Sequence, residues 1–393
     1  MLAGAGSLAG LAVRMYGGAH QKTPVRAIPE GGLQPQAAVD ERGTLHLVYY
    51  AGDPKAGDLL YATSRDGGAT FSSAIRVNSQ AGSALALGTI RGGQIALGKA
   101  GRLHVAWNGS SAAAPPGPLN PDSHKPGSPM LYARLNDAGT AFEAQRNVML
   151  ESFGLDGGGS LAADRAGNVE VAWHGIGEDE ATGTGKTGEA RRRVWLAGST
   201  DDGRSFAAER KAWAQDTGAC GCCGMKIYAD ARGRRFALYR SATESVHRDI
   251  YLLTSEDGGQ SFEGRLLHRW AINACPMSSM DITGNGSVVV GAWETGGQVY
   301  WARLDGGNAA PDPVAAPGEG KSRKHPRVAV NRRGEMLLAW TEGTGWQKGG
   351  SLAWQLYDAT GRPTAERGWI PGIPVWSFAA VAAFPDDRFA ILR

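Results

Sequence analysis

Short apolar stretches separated by polar or glycine-bearing turns recur along the whole chain. In TLHLVYY (44–50) and RLHVAW (102–107) the side chains alternate with a period of two. That period belongs to strands, whose successive side chains point to opposite faces. One unit repeats: a short apolar strand, a turn carrying Gly, then a second strand ending in an aromatic residue. It reads PQAAVDERGTLHLVYYAG from Pro35, GGQIALGKAGRLHVAWNG from Gly92, and GGSLAADRAGNVEVAWHG from Gly158. It returns as GMKIYADARGRRFALYRS from Gly224, PMSSMDITGNGSVVVGAW from Pro276, HPRVAVNRRGEMLLAWTEG from His325 and, more weakly, VWSFAAVAAFPDDRFAIL from Val375.

The turn glycines Gly43, Gly101, Gly167, Gly233, Gly286 and Gly334 are 58, 66, 66, 53 and 48 residues apart, the length of a four-stranded propeller blade with variable loops. The chain is therefore expected to be all-β, a β-propeller of four-stranded blades. Six full units and a terminal strand pair leave one blade to complete. TPVRAIPEGG (23–32) resembles the fourth-strand segment SSAIRVNS (72–79), and a third strand could lie near Leu11 to Tyr16. Pairing the N- and C-terminal strands removes two exposed sheet edges, so seven blades are favoured, with six as the alternative. Residues 23–393 read as one domain. Residues 1–22 read as a flexible or signal-like arm, or as part of the closing blade.

A second motif follows the strand pairs. It is SRDGGATF with Ser64, Asp66, Gly68 and Phe71; STDDGRSF with Ser199, Asp201, Gly203 and Phe206; and SEDGGQSF with Ser255, Asp257, Gly259 and Phe262. LNDAGTAF, with Asp137, Gly139 and Phe142, is a worn copy. Ser and Asp can bond amides in a tight turn, Gly takes positive φ, and Phe packs under the neighbouring sheet. These segments resemble the Asp box of the sialidase superfamily (BNR/Asp-box repeat propellers), where it forms the hairpin between the third and fourth strands of a blade. The resemblance covers nearly the whole chain as architecture and implies a structural role for these aspartates.

It also implies a glycoside hydrolase of the exo-α-sialidase type, with three arginines on the substrate carboxylate, a tyrosine nucleophile activated by a glutamate, and an aspartate acid/base. Arg26-Ala27-Ile28-Pro29 only echoes the early R-I-P motif of those enzymes. Tyr300 and Tyr357 fall in third strands and read as packing residues, so no catalytic set is visible and the catalytic residues stay unknown.

In an antiparallel blade the one-to-two and three-to-four turns share one face, and the two-to-three loops and inter-blade connections share the other. The long insertions SSAAAPPGPLNPDSHKPGSP and GIGEDEATGTGKTGEARR gather on that second face. So do DTGACGCCGMKIYAD and AINACPMSSMDI, which bring Cys220, Cys222, Cys223 and Cys275 together at the channel mouth. Disulfides stapling blades 4 and 5 are one reading; a copper or zinc site with Met225, Met277 or Met280 is a second; free or redox thiols are a third. The run C-x-C-C is not the usual pair of C-x₂-C zinc knuckles.

Arg240, at the end of a second strand, stands where other blades mostly carry small or apolar residues. With Glu244, His247, Arg248 and Asp249 it forms a candidate ligand-binding group, because a guanidinium fork suits a carboxylate; Arg248 and Asp249 could equally pair with each other. His174 and His325 could reach the channel mouth or serve as ordinary hydrogen-bonded residues. GTGKTG (183–188) lacks the spacing and strand-to-helix setting of a phosphate loop.

The charge is nearly balanced, 41 basic against 38 acidic residues for a net +3, without the basic runs that nucleic-acid binding requires. No stretch approaches 18 apolar residues, so no membrane span is expected. The leading expectation is a periplasmic or secreted propeller that binds or processes a carbohydrate or other anionic small ligand at the channel mouth and requires no cofactor. A copper- or thiol-handling protein built on the cysteines and a non-catalytic interaction scaffold with a protein partner are the alternatives.

Overall fold

The computed structural model describes residues 23–181, 188–307 and 312–393. Among them, seven sheets carry the repeat, six of four strands and one of three, so the favoured count of seven blades holds. In blade 4, Lys226–Ala229, Arg235–Arg240, Ile250–Ser255 and Glu263–His268 pair antiparallel in sequence order. The other four-stranded sheets repeat this order. Their first strands are Leu33–Val39, Gln94–Leu97, Gly159–Ala163, Met280–Gly284 and Arg323–Val330. Together with Ala380–Ala383 of blade 7, each first strand touches the next in a closed ring around a central channel.

Ring closure differs in one detail from the sequence expectation. Val25–Arg26 does close the last blade, but it pairs directly with Phe389–Leu392, the second strand, with Val25 opposite Ile391. The pairing is parallel. A fourth strand normally runs parallel to the second with a third between them; here the segment keeps that direction and occupies the third place. The stretch from Leu11 to Tyr16 lies outside the described residues.

Each pair of neighbouring sheets encloses its own apolar wedge. Trp107, Trp173 and Trp293, at the ends of second strands, are buried in three of these wedges. Truncating such a tryptophan to Ala costs about 3–5 kcal/mol. The one-to-two turns explain the repeating glycines, whose φ values of +74° to +97° are accessible to Gly without a Cβ clash. Blade 7 puts Asp387 in the same conformation, φ +67°. On the opposite face the two insertions meet, where Arg191 Nη2 lies 3.0 Å from Asp122 Oδ2.

Candidate functional site

The hairpins of the S-x-D-x-G-x-x-F motif are hydrogen-bonded cages. Ser199 Oγ donates to Asp201 Oδ1 (2.8 Å) and accepts from the Gly203 amide (2.9 Å), while Asp201 also receives the Ser205 amide and hydroxyl (2.9 and 2.6 Å). Ser64/Asp66/Gly68 and Ser255/Asp257/Gly259 repeat these bonds. The bonds from Thr70 to Asp66, from Ser205 to Asp201, and from Ser255 and Ser261 to Asp257 hold all three carboxyls below the usual carboxylate range. Phe71, Phe206 and Phe262 pack into inter-blade wedges, and Phe206 meets Tyr132 of blade 2 edge-on at 4.8 Å. In the worn copy, Leu135 cannot act as Ser does, and Asp137 turns outward to Arg102. These aspartates are occupied in holding turns.

On the loop face, Cys222 and Cys275 form a disulfide that joins the connections entering blades 4 and 5 across 53 residues. Cys220 and Cys223 are free, buried, and 3.1 Å apart at their sulfurs; Cys220 Sγ lies 3.5 Å from Cys222 Sγ. The backbone fixes this turn. The Cys220 amide donates to the Arg240 carbonyl (2.9 Å), the Gly221 amide to Glu189 Oε1 (3.0 Å), and the Gly224 amide to the Ser278 carbonyl (2.8 Å). The hydrogen bond to Cys223, together with burial, pushes the Cys220 thiol up. Burial would raise Cys223 too, but the Cys220 S–H and the Arg240 guanidinium bring it below the ordinary thiol value.

The five residues from 240 to 249 separate into two groups. Arg240 is fully buried, donating to the Arg248 carbonyl (2.8 Å) and the Glu294 carbonyl and stacking over Trp270 at 4.9 Å. Arg248 pairs with Glu189 rather than with Asp249, whose Oδ1 accepts the Trp270 amide at 2.8 Å. Both are buried. Glu244 and His247 are exposed and face each other at 4.0 Å. The arginines therefore tie blades 3, 4 and 5 together instead of projecting from the surface. His174 and His325 are likewise interior, and burial pushes each down to about 3. Of GTGKTG, only Gly188 lies within the described residues.

The channel is shut at the loop face. Gln34 receives the Gly92 amide (2.8 Å) and donates to the Ala86 and Trp376 carbonyls (2.5 and 2.9 Å), drawing the 86–92 loop across the axis. Ile90 then packs so closely on the neighbouring connection into blade 3 that a Cβ on Gly157 would stand 2.1 Å from its Cδ1. Only about 10 Å³ remains there, whereas the opposite face opens through a mouth of about 700 Å³ into a channel of about 360 Å³. The cysteines thus flank a plug, and the open mouth lies among the one-to-two turns.

Among the described residues, three charged side chains line this channel: Lys226 of blade 4, Asp281 of blade 5 and Arg327 of blade 6. Asp281 Oδ1 is 3.8 Å from Lys226 Nζ, and its Oδ2 accepts the Val328 amide at 3.0 Å. Arg327 stacks over Phe378 at 4.1 Å, and its buried Nε has no hydrogen-bond partner among the described residues. Burial lowers both Lys226 and Arg327, with Asp281 only partly offsetting it. Sequence reasoning missed this trio. The available signal was a charge at an inward position of three first strands, in MKIYA, SMDIT and PRVAV.

The architecture is that of a seven-bladed β-propeller. Structurally, the chain is similar to a protein of unknown function from Dyadobacter fermentans (TM-score 0.54, 12% identity, 90% of this chain and 98% of that one). It is similar also to the Penicillium chrysogenum α-L-arabinanase complexed with arabinobiose (0.51, 15%, 87% and 97%). The α-L-arabinofuranosidase Arb93A of Fusarium graminearum gives 0.51 at 12% identity over 90% and 98%. At these identities the likeness is one of fold. No family model matches the chain, and no curated protein sequence does.

Proposed function

We propose that this protein binds a small anionic ligand, of the sugar-acid class, inside its axial channel, entering through the mouth among the one-to-two turns. The observation that carries the reading is the cationic pair of half-buried Lys226 and buried Arg327, with Asp281 as the one acidic side chain lining the channel beside them among the described residues. An anion placed between the pair would relieve the desolvation that depresses both groups. A guanidinium with a free Nε offers the fork that a carboxylate accepts. The disulfide fits secretion or a periplasmic location, where glycans are met, and no helix among the described residues is long and apolar enough to cross a membrane. Arg240 and Arg248 have no part in this reading, because they lie at the plugged loop face and are ion-paired with Glu294 and Glu189.

Titration calorimetry with N-acetylneuraminate and glucuronate, against galactose and arabinose, tests it. The acids should bind, the neutral sugars should not, and Arg327→Met should weaken acid binding about tenfold or more, since a charge-assisted hydrogen bond is worth about 1.5–3 kcal/mol. Equal binding of neutral sugars, or of acids to Arg327→Met, would sink the reading. Release of methylumbelliferone from the sialoside or the arabinofuranoside in parallel would add processing to binding.

A further inference from the structure

We propose that the Cys220–Cys223 turn is a binding site for a monovalent copper ion, controlled by the Cys222–Cys275 disulfide. This goes beyond the channel reading and rests on different residues.

The sulfurs of Cys220, Cys222 and Cys223 all lie within 4.8 Å of one another, and the three residues are buried. With a metal–thiolate bond of about 2.3 Å, trigonal coordination places its sulfurs about 4.0 Å apart. The two shortest separations, 3.1 and 3.5 Å, need to widen by less than about 1 Å to reach this. Three soft donors without a carboxylate or imidazole in the set suit Cu(I) better than a tetrahedral zinc ion. The thioether residue Met277 packs against the same cluster.

The turn is also held open for a ligand set by its backbone. Three different partners, Arg240, Glu189 and Ser278, anchor its amides, so the sulfurs are brought together before any metal arrives.

The disulfide decides how many donors are available. While Cys222 is bonded to Cys275, Cys220 and Cys223 remain as a two-thiol pair. Cys275 is the exposed half of the bridge and Cys222 the buried half, so a reductant reaches the bridge at Cys275. A dithiol attacks Cys275 Sγ, Cys222 leaves as a thiolate, and the second thiol of the reductant displaces Cys275; two electrons pass to the bridge and the reductant ends as its own disulfide. Cu(I) then binds Cys220, Cys222 and Cys223 with loss of their protons, and no change in its oxidation state is involved.

The test is anaerobic titration of Cu(I) against bicinchoninate, using the whole protein as isolated and after reduction by a phosphine that is then removed. One equivalent should bind the reduced protein, about 100-fold more tightly than the disulfide form. Cys275→Ser should bind like the reduced protein without any reductant, and Cys220→Ser or Cys223→Ser should lose about 100-fold or more. X-ray absorption should show three sulfurs around copper. Should Cys275→Ser not fold, the reduced wild-type protein decides alone. The proposal is overturned if Cys220 and Cys223 prove to be disulfide-bonded in the isolated protein, if reduction leaves copper affinity unchanged, if Zn²⁺ binds more tightly than Cu(I), or if the serine variants retain copper.

Discussion

His174 makes the stability of this propeller sensitive to acid. It ends the second strand of blade 3, fully buried, near Tyr239 at 6.4 Å between ring centres. Burial, reinforced by the Arg192 charge, pushes its imidazole down to about 3; the Cys220 backbone and Asp156 offset this only in part. The folded protein therefore keeps the ring neutral at pH values where an unfolded chain, titrating near 6.5, takes up a proton. Stability contributed above pH 6.5 is lost as the pH falls through 6.5 and on toward 3. Between pH 7 and pH 5 the loss from this residue is about 2 kcal/mol. His325, also pushed down to about 3, and His104, pushed down to about 4, act in the same direction. Glu170, which burial pushes up to about 7, acts oppositely, because its neutral folded form favours low pH. Comparing the protein with His174→Phe cancels these shared contributions. Phenylalanine fills nearly the same volume without polar nitrogens. Urea unfolding at pH 7 and pH 5 should show the variant losing about 2 kcal/mol less than the parent on acidification. Parallel pH dependence of the two proteins would refute the assignment of that loss to His174.

Other perturbations separate occupied carboxylates from incidental ones. Glu209 is buried and accepts the amides of Leu150, Glu151 and Ser152 (2.7, 2.9 and 2.7 Å) and the Ser152 hydroxyl (3.0 Å); Glu209→Ala should cost about 3 kcal/mol or more in urea unfolding, and a loss under about 1 would contradict it. Asp201→Ala should cost about 1–2 kcal/mol through its cage of hydrogen bonds, whereas Asp137→Ala, exposed beside Arg102, should leave the urea midpoint unchanged. Equal losses would mean the cage contributes nothing. Opening the Cys222–Cys275 bridge frees a long loop and should lower stability by about 2–4 kcal/mol, seen as a lower Tm after phosphine treatment that Cys275→Ser no longer shows.

The repeat was legible because every feature that defines a blade is local. Period-two strands, a positive-φ glycine and a Ser/Asp turn each act within about ten residues, so the seven strand pairs and three hairpins could be located from the residues alone. The loop face of the cysteines also followed from strand direction. What the order of residues left open is what lies between blades. The partnership of Cys222 with Cys275, and the approach of Cys220 to Cys223, which are themselves spaced C-x₂-C, depend on how two connections converge. Whether Arg240 points outward or inward depends on Glu294 and Trp270, which other parts of the chain supply. The plugged end rests on Gln34 and Ile90, and the charged channel on three strands from three blades; such contacts exist only after the ring has closed, since no local rule fixes which distant side chains share a cavity.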